Sequence, residues 1–297
     1  MPRLKAHPYL LLTLAVFFWA GNVVVARGIH EMVPPFALAF WRWSIALLCV
    51  LPLAWPHFKT QWPQVRDNLP TLIVLGLLGV GGYNTFVYIA LQTTTAINAT
   101  ILNSFIPIAT IIFASLLLRR RFQRLESMGA AISLAGVFLI VAQGNPALLS
   151  DLGLNRGDLW MVTAVLAWGL YTVGLQKSPA KLNPMLMFAT FAVVGLIALA
   201  PAYAWELHSG RRMELSPEIV LAIAYIGIFP GFLGHICYNI GVSRAGPSRG
   251  ALFINLMPVF GLILATLFLG ERAAWYHFAG IACVLTGIVL TTRSRHA

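Results

Sequence analysis

Ten apolar runs, each near the length of a membrane-crossing helix, follow one another with only short polar breaks. They predict helices over residues 9–28, 36–56, 70–91, 97–118, 127–142, 158–176, 184–205, 218–242, 250–269 and 275–292. The breaks span about five to fifteen residues, too few to fold a separate polar core. The first run exceeds the apolar part of a secretory signal and reads as an uncleaved first span. The predicted class is therefore an all-α integral membrane protein.

Composition agrees. The chain is 59% hydrophobic and 10% charged, with mean hydropathy +0.81, whereas soluble domains carry about 25% charged residues. Cys49, Cys237 and Cys283 all fall inside predicted spans, with no disulfide framework or zinc spacing. No cofactor or metal is expected.

The net charge of +11 changes the picture through its distribution. With the N-terminus cytoplasmic, Arg3, Lys5, Lys59, Arg66, Arg119, Arg120, Arg121, Arg124, Lys177, Lys181, Arg244, Arg249, Arg293 and Arg295 face inward. Arg27, Arg156, Arg211, Arg212 and Arg272 face outward, and Arg42 lies within the second run. This bias predicts a multi-pass membrane protein with both termini cytoplasmic. Basic residues spread over so many breaks serve orientation, and no nucleic-acid partner is expected.

The chain also repeats itself. At an offset of 151, Pro107 falls on Pro258, Ala114 on Ala265, Gly129 on Gly280 and Gly136 on Gly287; at 149, Trp19 falls on Trp168; at 150, Tyr88 falls on Tyr238. The halves, 1–148 and 149–297, hold five spans each. Five is odd, so the second copy enters the membrane from the opposite side. Such inverted repeats characterise secondary transporters, which hold substrate near the midplane where the repeats meet.

Pro107 and Pro258 predict kinks, since each removes a backbone donor within a span. Gly129 with Gly136, and Gly280 with Gly287, stand seven apart on one helical face and predict close packing of the fifth and tenth spans, outside the pathway. Polar side chains recur at helical spacing elsewhere: Tyr83, Asn84 and Tyr88 in the third span, and His235, Tyr238 and Asn239 in the eighth. Trp19 with Asn22, Trp168 with Tyr171, Asn98 with Asn103, and Asn255 join them from other spans. One or two such groups would serve as interhelical glue; this many, drawn from both halves, predict a polar cavity. Trp55, Trp62, Trp205 and Trp275 stand at span ends as interface anchors.

All nine acidic residues fall in breaks or at span ends. His235 is then the central candidate for proton coupling, and both antiport and uncoupled exchange fit. Arg42 has two readings: it snorkels to the surface as an anchor, or it faces inward and attracts a substrate carboxylate.

The segments "FFWAGNVVVARG" (17–28), "ALAFWRWSIALLCVLPL" (37–53) and "LGERAAWYHFAGIACVLTGIVL" (269–290), with the proline spans, resemble the drug/metabolite transporter superfamily in its ten-helix form. "LRRRFQRLESMGAAISLAGVFLI" departs from the family's glycine-glutamate turn, which puts a role for Glu271 in doubt. The resemblance implies spans one to four and six to nine around a central cavity, the fifth and tenth as supports, and export of amino acids, aromatic and other neutral ones, across the inner membrane. A cavity of aromatic faces and amides with little fixed charge suits such zwitterions.

A broad drug efflux carrier of the same fold is the alternative. An intramembrane enzyme would need catalytic groups within reach of one another; the pair His235 and Cys237 point in different directions on a helix, so no enzyme is expected. The expected partners are a small-molecule substrate and the lipid bilayer. The oligomeric state stays open and is compatible with a monomer.

Overall fold

The computed structural model describes residues 7–29, 31–90, 92–94, 96–119, 123–145, 147, 155–178, 182–213, 215–269 and 274–293, except the side chains of 23, 24, 27, 96–98 and 265–269. Asn98 as a site residue, Glu271, and the orienting Arg3, Lys5, Arg27, Arg120, Arg121, Lys181, Arg272 and Arg295 therefore lie outside what it describes.

Among the described residues, ten helical spans account for the fold. We label them α1 (Pro8–Gly28), α2 (Pro35–Asp67), α3 (Leu69–Ala90), α4 (Ala96–Asn103 and Ile106–Leu118), α5 (Arg124–Val141), α6 (Arg156–Lys177), α7 (Pro184–His208), α8 (Pro217–Ala245), α9 (Pro247–Leu252, Phe253–Leu256 and Met257–Leu269) and α10 (Trp275–Arg293). Among the described residues, nine of these are long and apolar enough to cross a membrane, and α1 adds a shorter apolar helix, Pro8–Asn22.

Helix starts follow local chemistry. Proline occupies the first turn of α1, α2, α7, α8 and α9, where its missing N–H leaves no bond unmade. Asn155 caps α6 by accepting from Gly157 N and Asp158 N, while Asp158 accepts from Asn155 N at 2.8 Å. The cap of α2 comes from another helix: the Glu206 carboxylate, at the end of α7, accepts from Phe36 N (3.3 Å) and Ala37 N (2.8 Å).

The second helix is longer than the apolar pattern predicted, running to Asp67 rather than stopping near residue 56. Its 33 residues extend for about 50 Å, against a hydrocarbon core near 30 Å. A row of exposed rings runs into the extension, Trp55 stacked on Phe58 and Phe58 tilted against Trp62. Its Gln61 Oε1 accepts from the Asn183 backbone at 2.8 Å, tying it to the start of α7.

The packing obeys the repeat. Three helices meet their own counterparts: α2 packs on α7, α4 on α9 and α5 on α10. The largest of the remaining contacts come in matched pairs, α1 on α8 with α6 on α3, α1 on α9 with α6 on α4, and α2 on α8 with α7 on α3. Exchanging each helix with the one five places along leaves this pattern unchanged, as a two-fold axis in the membrane plane requires. Irregularities match as well: π-helical turns occupy Leu77–Gly82 in α3 and Gly227–Leu233 in α8, at the same offset of 150.

Both α4 and α9 break just before their prolines. A turn at Ser104 and Phe105 separates the two pieces of α4, and a 3₁₀ segment over Phe253–Leu256 separates those of α9. Pro107 and Pro258 each stand second in the helix that follows, so they restart a helix rather than bend a continuous one.

At the α5–α10 crossing the glycines interlock. A Cβ on Gly136 would lie 2.6 Å from Gly280 O, and one on Gly280 would lie 2.7 Å from Gly136 O; Gly129 and Gly287 face each other in the same way. Only backbones this bare allow two helices to touch so closely.

Candidate functional site

The repeat-matched tryptophans meet at the centre. Trp19 and Trp168 stand edge to face with ring centroids 5.3 Å apart, and His235 is wedged beside them, 5.4 Å from Trp19 and 5.6 Å from Trp168. Glycines near the π turns let these rings in: a Cβ at Gly234 would lie 2.9 Å from Trp19 Nε1, and one at Gly79 would lie 2.5 Å from the Tyr171 ring.

Two adjoining chambers lie at this cluster. The smaller, about 80 Å³, is walled by Trp19, Asn22, Arg42, Asn84, Tyr88, Trp168 and His235. The larger, about 260 Å³, lies among α1, α3, α4, α5, α6 and α9. Tyr83, Val87, Ile254 and Met257 belong to both walls and stand between them. Asn103 and Asn255 line the larger chamber. The Tyr83 hydroxyl donates to Asn103 Oδ1 at 2.8 Å, and Asn255 Nδ2 donates to Ser133 Oγ at 2.9 Å.

Arg42 faces inward, so the surface-anchor reading does not describe it. Only 2% of it is exposed. Its guanidinium donates to Asn84 Oδ1 (3.2 Å), Tyr88 OH (3.4 Å) and Pro230 O (3.5 Å), and sits 5.1 Å over the Trp43 ring. These partners are all neutral. Arg42 Nε and Asn84 Nδ2, like Asn22 Oδ1 and His235 Nε2, are buried in the wall without a hydrogen-bond partner.

Three residues expected on the cavity wall stand elsewhere. Tyr171, Tyr238 and Asn239 line neither chamber; they are packed between α6 and α8. The Tyr171 hydroxyl donates to Asn239 Oδ1 at 2.6 Å, and Trp168 Nε1 donates to Tyr238 OH at 3.3 Å. In these positions they are the interhelical glue that polar side chains commonly form in bilayers. Conversely α5, expected to stand clear, contributes Val137 to the larger chamber.

Two contributors escaped the pattern reading. Trp43 is fully buried with its ring centroid 4.7 Å from that of His235. The Pro230 carbonyl accepts from Trp19 Nε1 at 3.1 Å, receives Arg42, and lies 3.3 Å from His235 Nδ1. The glycine clusters "GLLGVGG" (76–82) and "GIFPGFLG" (227–234) were the available signal for both irregular turns.

The chambers break the two-fold symmetry. The first piece of α9, Pro247–Leu252, packs against the second piece of α4, Ile106–Leu118. Among the described residues, the counterpart contact between Ala96–Asn103 of α4 and Met257–Leu269 of α9 is not made to a comparable extent. The larger chamber occupies that gap, between Ala99, Thr100 and Asn103 on one side and Met257, Pro258 and Gly261 on the other. Thr110 is fully buried, while its counterpart Gly261 has no atom within 4 Å of where a Cβ would stand.

A bundle of two inverted five-helix repeats around a central cavity defines a membrane transporter. The EamA-like transporter family model matches the chain twice, over residues 7–142 and 155–293, and the chain belongs to that family. An uncharacterized transporter of Archaeoglobus fulgidus is 30% identical over 300 residues, covering 99% of this chain and all of that one. The uncharacterized transporter YyaM of Bacillus subtilis is 24% identical over 281 residues, covering 95% and 92%. A crystal structure shares the fold at TM-score 0.78 and 20% identity, covering 95% of each chain.

Proposed function

We propose that this transporter exports neutral amino acids, aromatic ones among them, across the inner membrane by alternating access, with both termini cytoplasmic. The observation that carries this reading is the small central chamber. Its described wall combines aromatic rings, two asparagines and one buried arginine with no carboxylate. Such a wall favours a solute that is flat or apolar, carries an anionic group and has no net charge. The buried positive charge also disfavours cationic drugs, the natural cargo of the broader efflux alternative.

The asymmetry between the two α4–α9 contacts supports alternation. One end of the pathway is packed shut and its symmetry mate is parted, and exchanging the two arrangements between the repeats carries the chamber to the other face. With the N-terminus cytoplasmic, the parted end is the external one.

Proteoliposomes loaded with labelled tryptophan, and separately threonine, test the proposal with and without a pH gradient. Efflux faster than from empty liposomes supports amino-acid export, and its response to the gradient reports proton coupling. If neither solute leaves faster, the proposal fails.

A further inference from the structure

The two chambers differ in chemistry, and the difference orients a solute. In the small chamber Asn84 Oδ1 is occupied by Arg42 Nη1, which fixes the amide so that Nδ2 is the free atom. Arg42 Nε, on the same wall, is unpaired as well. Two unpaired donors, one on a cation whose described partners are all neutral, complement the paired acceptors of a carboxylate. On the same wall Asn22 Oδ1 is an unpaired acceptor, and the rings of Trp19, Trp168 and Tyr88 line the same chamber. An acceptor in a chamber lined by aromatic rings suits an ammonium group.

In the larger chamber the lining is mainly apolar, with Ala99, Val137, Met161 and Gly261, and its polar members are the neutral Thr100, Asn103, Ser104 and Asn255. An α-carbon bears one anionic, one cationic and one variable branch, and the cavity offers one environment for each.

We propose that an α-amino acid lies with its carboxylate at Arg42 and Asn84, its ammonium toward Asn22 and the rings, and its side chain past the shared residues Tyr83, Val87, Ile254 and Met257 into the α4–α9 chamber. Arg42 then selects for the carboxylate, and the space before Gly261 sets the side-chain size limit. This assignment rests on the amino-acid reading above.

The test uses the full chain in proteoliposomes. Tryptophan, its decarboxylated amine tryptamine, and its deaminated acid indole-3-propionate compete against labelled tryptophan efflux. The wild type is expected to prefer tryptophan to tryptamine by about tenfold or more, the scale of one lost charge-assisted hydrogen bond. Arg42→Gln is expected to abolish that preference. Asn84→Asp, nearly the same shape, sets a negative charge beside Arg42 and is expected to turn the preference toward the amine; it carries the test if Arg42→Gln does not fold. Gly261→Leu is expected to lower the ratio of tryptophan to threonine efflux by about tenfold or more.

If the wild type moves no amino acid, the underlying reading fails and this assignment with it. If the wild type moves tryptophan but both polar variants keep the wild-type ratio of tryptophan to tryptamine, the orientation is overturned while amino-acid export stands. An unchanged tryptophan-to-threonine ratio in Gly261→Leu overturns the side-chain placement.

Discussion

Replacing Gly136 by alanine and Gly261 by alanine makes the same chemical change in two membrane helices, and we expect stability to move in opposite directions. Alanine is favoured over glycine in a helix by about 1 kcal/mol, at either site. Space decides the rest. A Cβ at Gly136 would lie 2.6 Å from Gly280 O, 2.8 Å from Cys283 Cβ and 3.0 Å from Val284 N. Carbon atoms rest at about 3.5–4.0 Å from such neighbours, so α5 and α10 must part by roughly 1 Å along their contact. A gap of that size forfeits about a quarter to a half of each dispersion contact, and overpacking costs about 1–3 kcal/mol. The net expectation at Gly136 is a loss of up to about 2 kcal/mol. At Gly261 nothing lies within 4 Å, so the helix preference acts alone and adds up to about 1 kcal/mol. Reversible unfolding of the purified variants in mixed micelles measures both, with an expected separation of about 1–3 kcal/mol, the overpacking cost alone. Finding Gly136→Ala as stable as Gly261→Ala would refute the close-packed crossing.

Two further outcomes follow from the packing. Tyr171→Phe removes the hydroxyl that donates to Asn239 Oδ1 in a site where Asn239 Nδ2 is already unpaired; the expected loss is about 1–2 kcal/mol in the same unfolding assay, with the tryptophan-to-threonine efflux ratio unchanged because Tyr171 lines neither chamber. Coexpressed fragments 1–148 and 149–297 are expected to copurify and restore efflux, since α2–α7, α4–α9 and α5–α10 all join the halves; failure of the fragments to associate counts against five-helix units that fold separately.

The repeat was legible because proline, glycine and tryptophan each fill a place that few other residues can. Pro107 and Pro258 mark helix restarts, the four glycines mark the α5–α10 crossing, and Trp19 and Trp168 meet at the centre. The extent of α2 was hidden because a helix does not stop where its apolar run thins; Gln61 and the α7 backbone support it further on. Site membership was legible only in part. Helical spacing shows that His235, Tyr238 and Asn239 share a stripe, but not which neighbour covers each. His235 reaches the chamber, while Tyr238 and Asn239 are covered by α6. Arg42 could not be placed from its depth alone, because its direction depends on Asn84, Tyr88 and the Pro230 carbonyl, which lie 42, 46 and 188 residues away.

The π turns in α3 and α8 give each span one residue of slack. A π turn holds one residue more than an α turn, and each residue of an α-helix advances it by about 100°. Deleting one residue from 77–82 lets α3 close into regular helix with Tyr83, Asn84 and Tyr88 still on the chamber wall, because the turn gives up only its extra residue. The same holds for 227–233 and His235. A deletion in the regular helix before either turn has no such reserve and rotates the following side chains by about 100°. The tolerance of the wall to a lost residue is thus confined to two short stretches, one in each half.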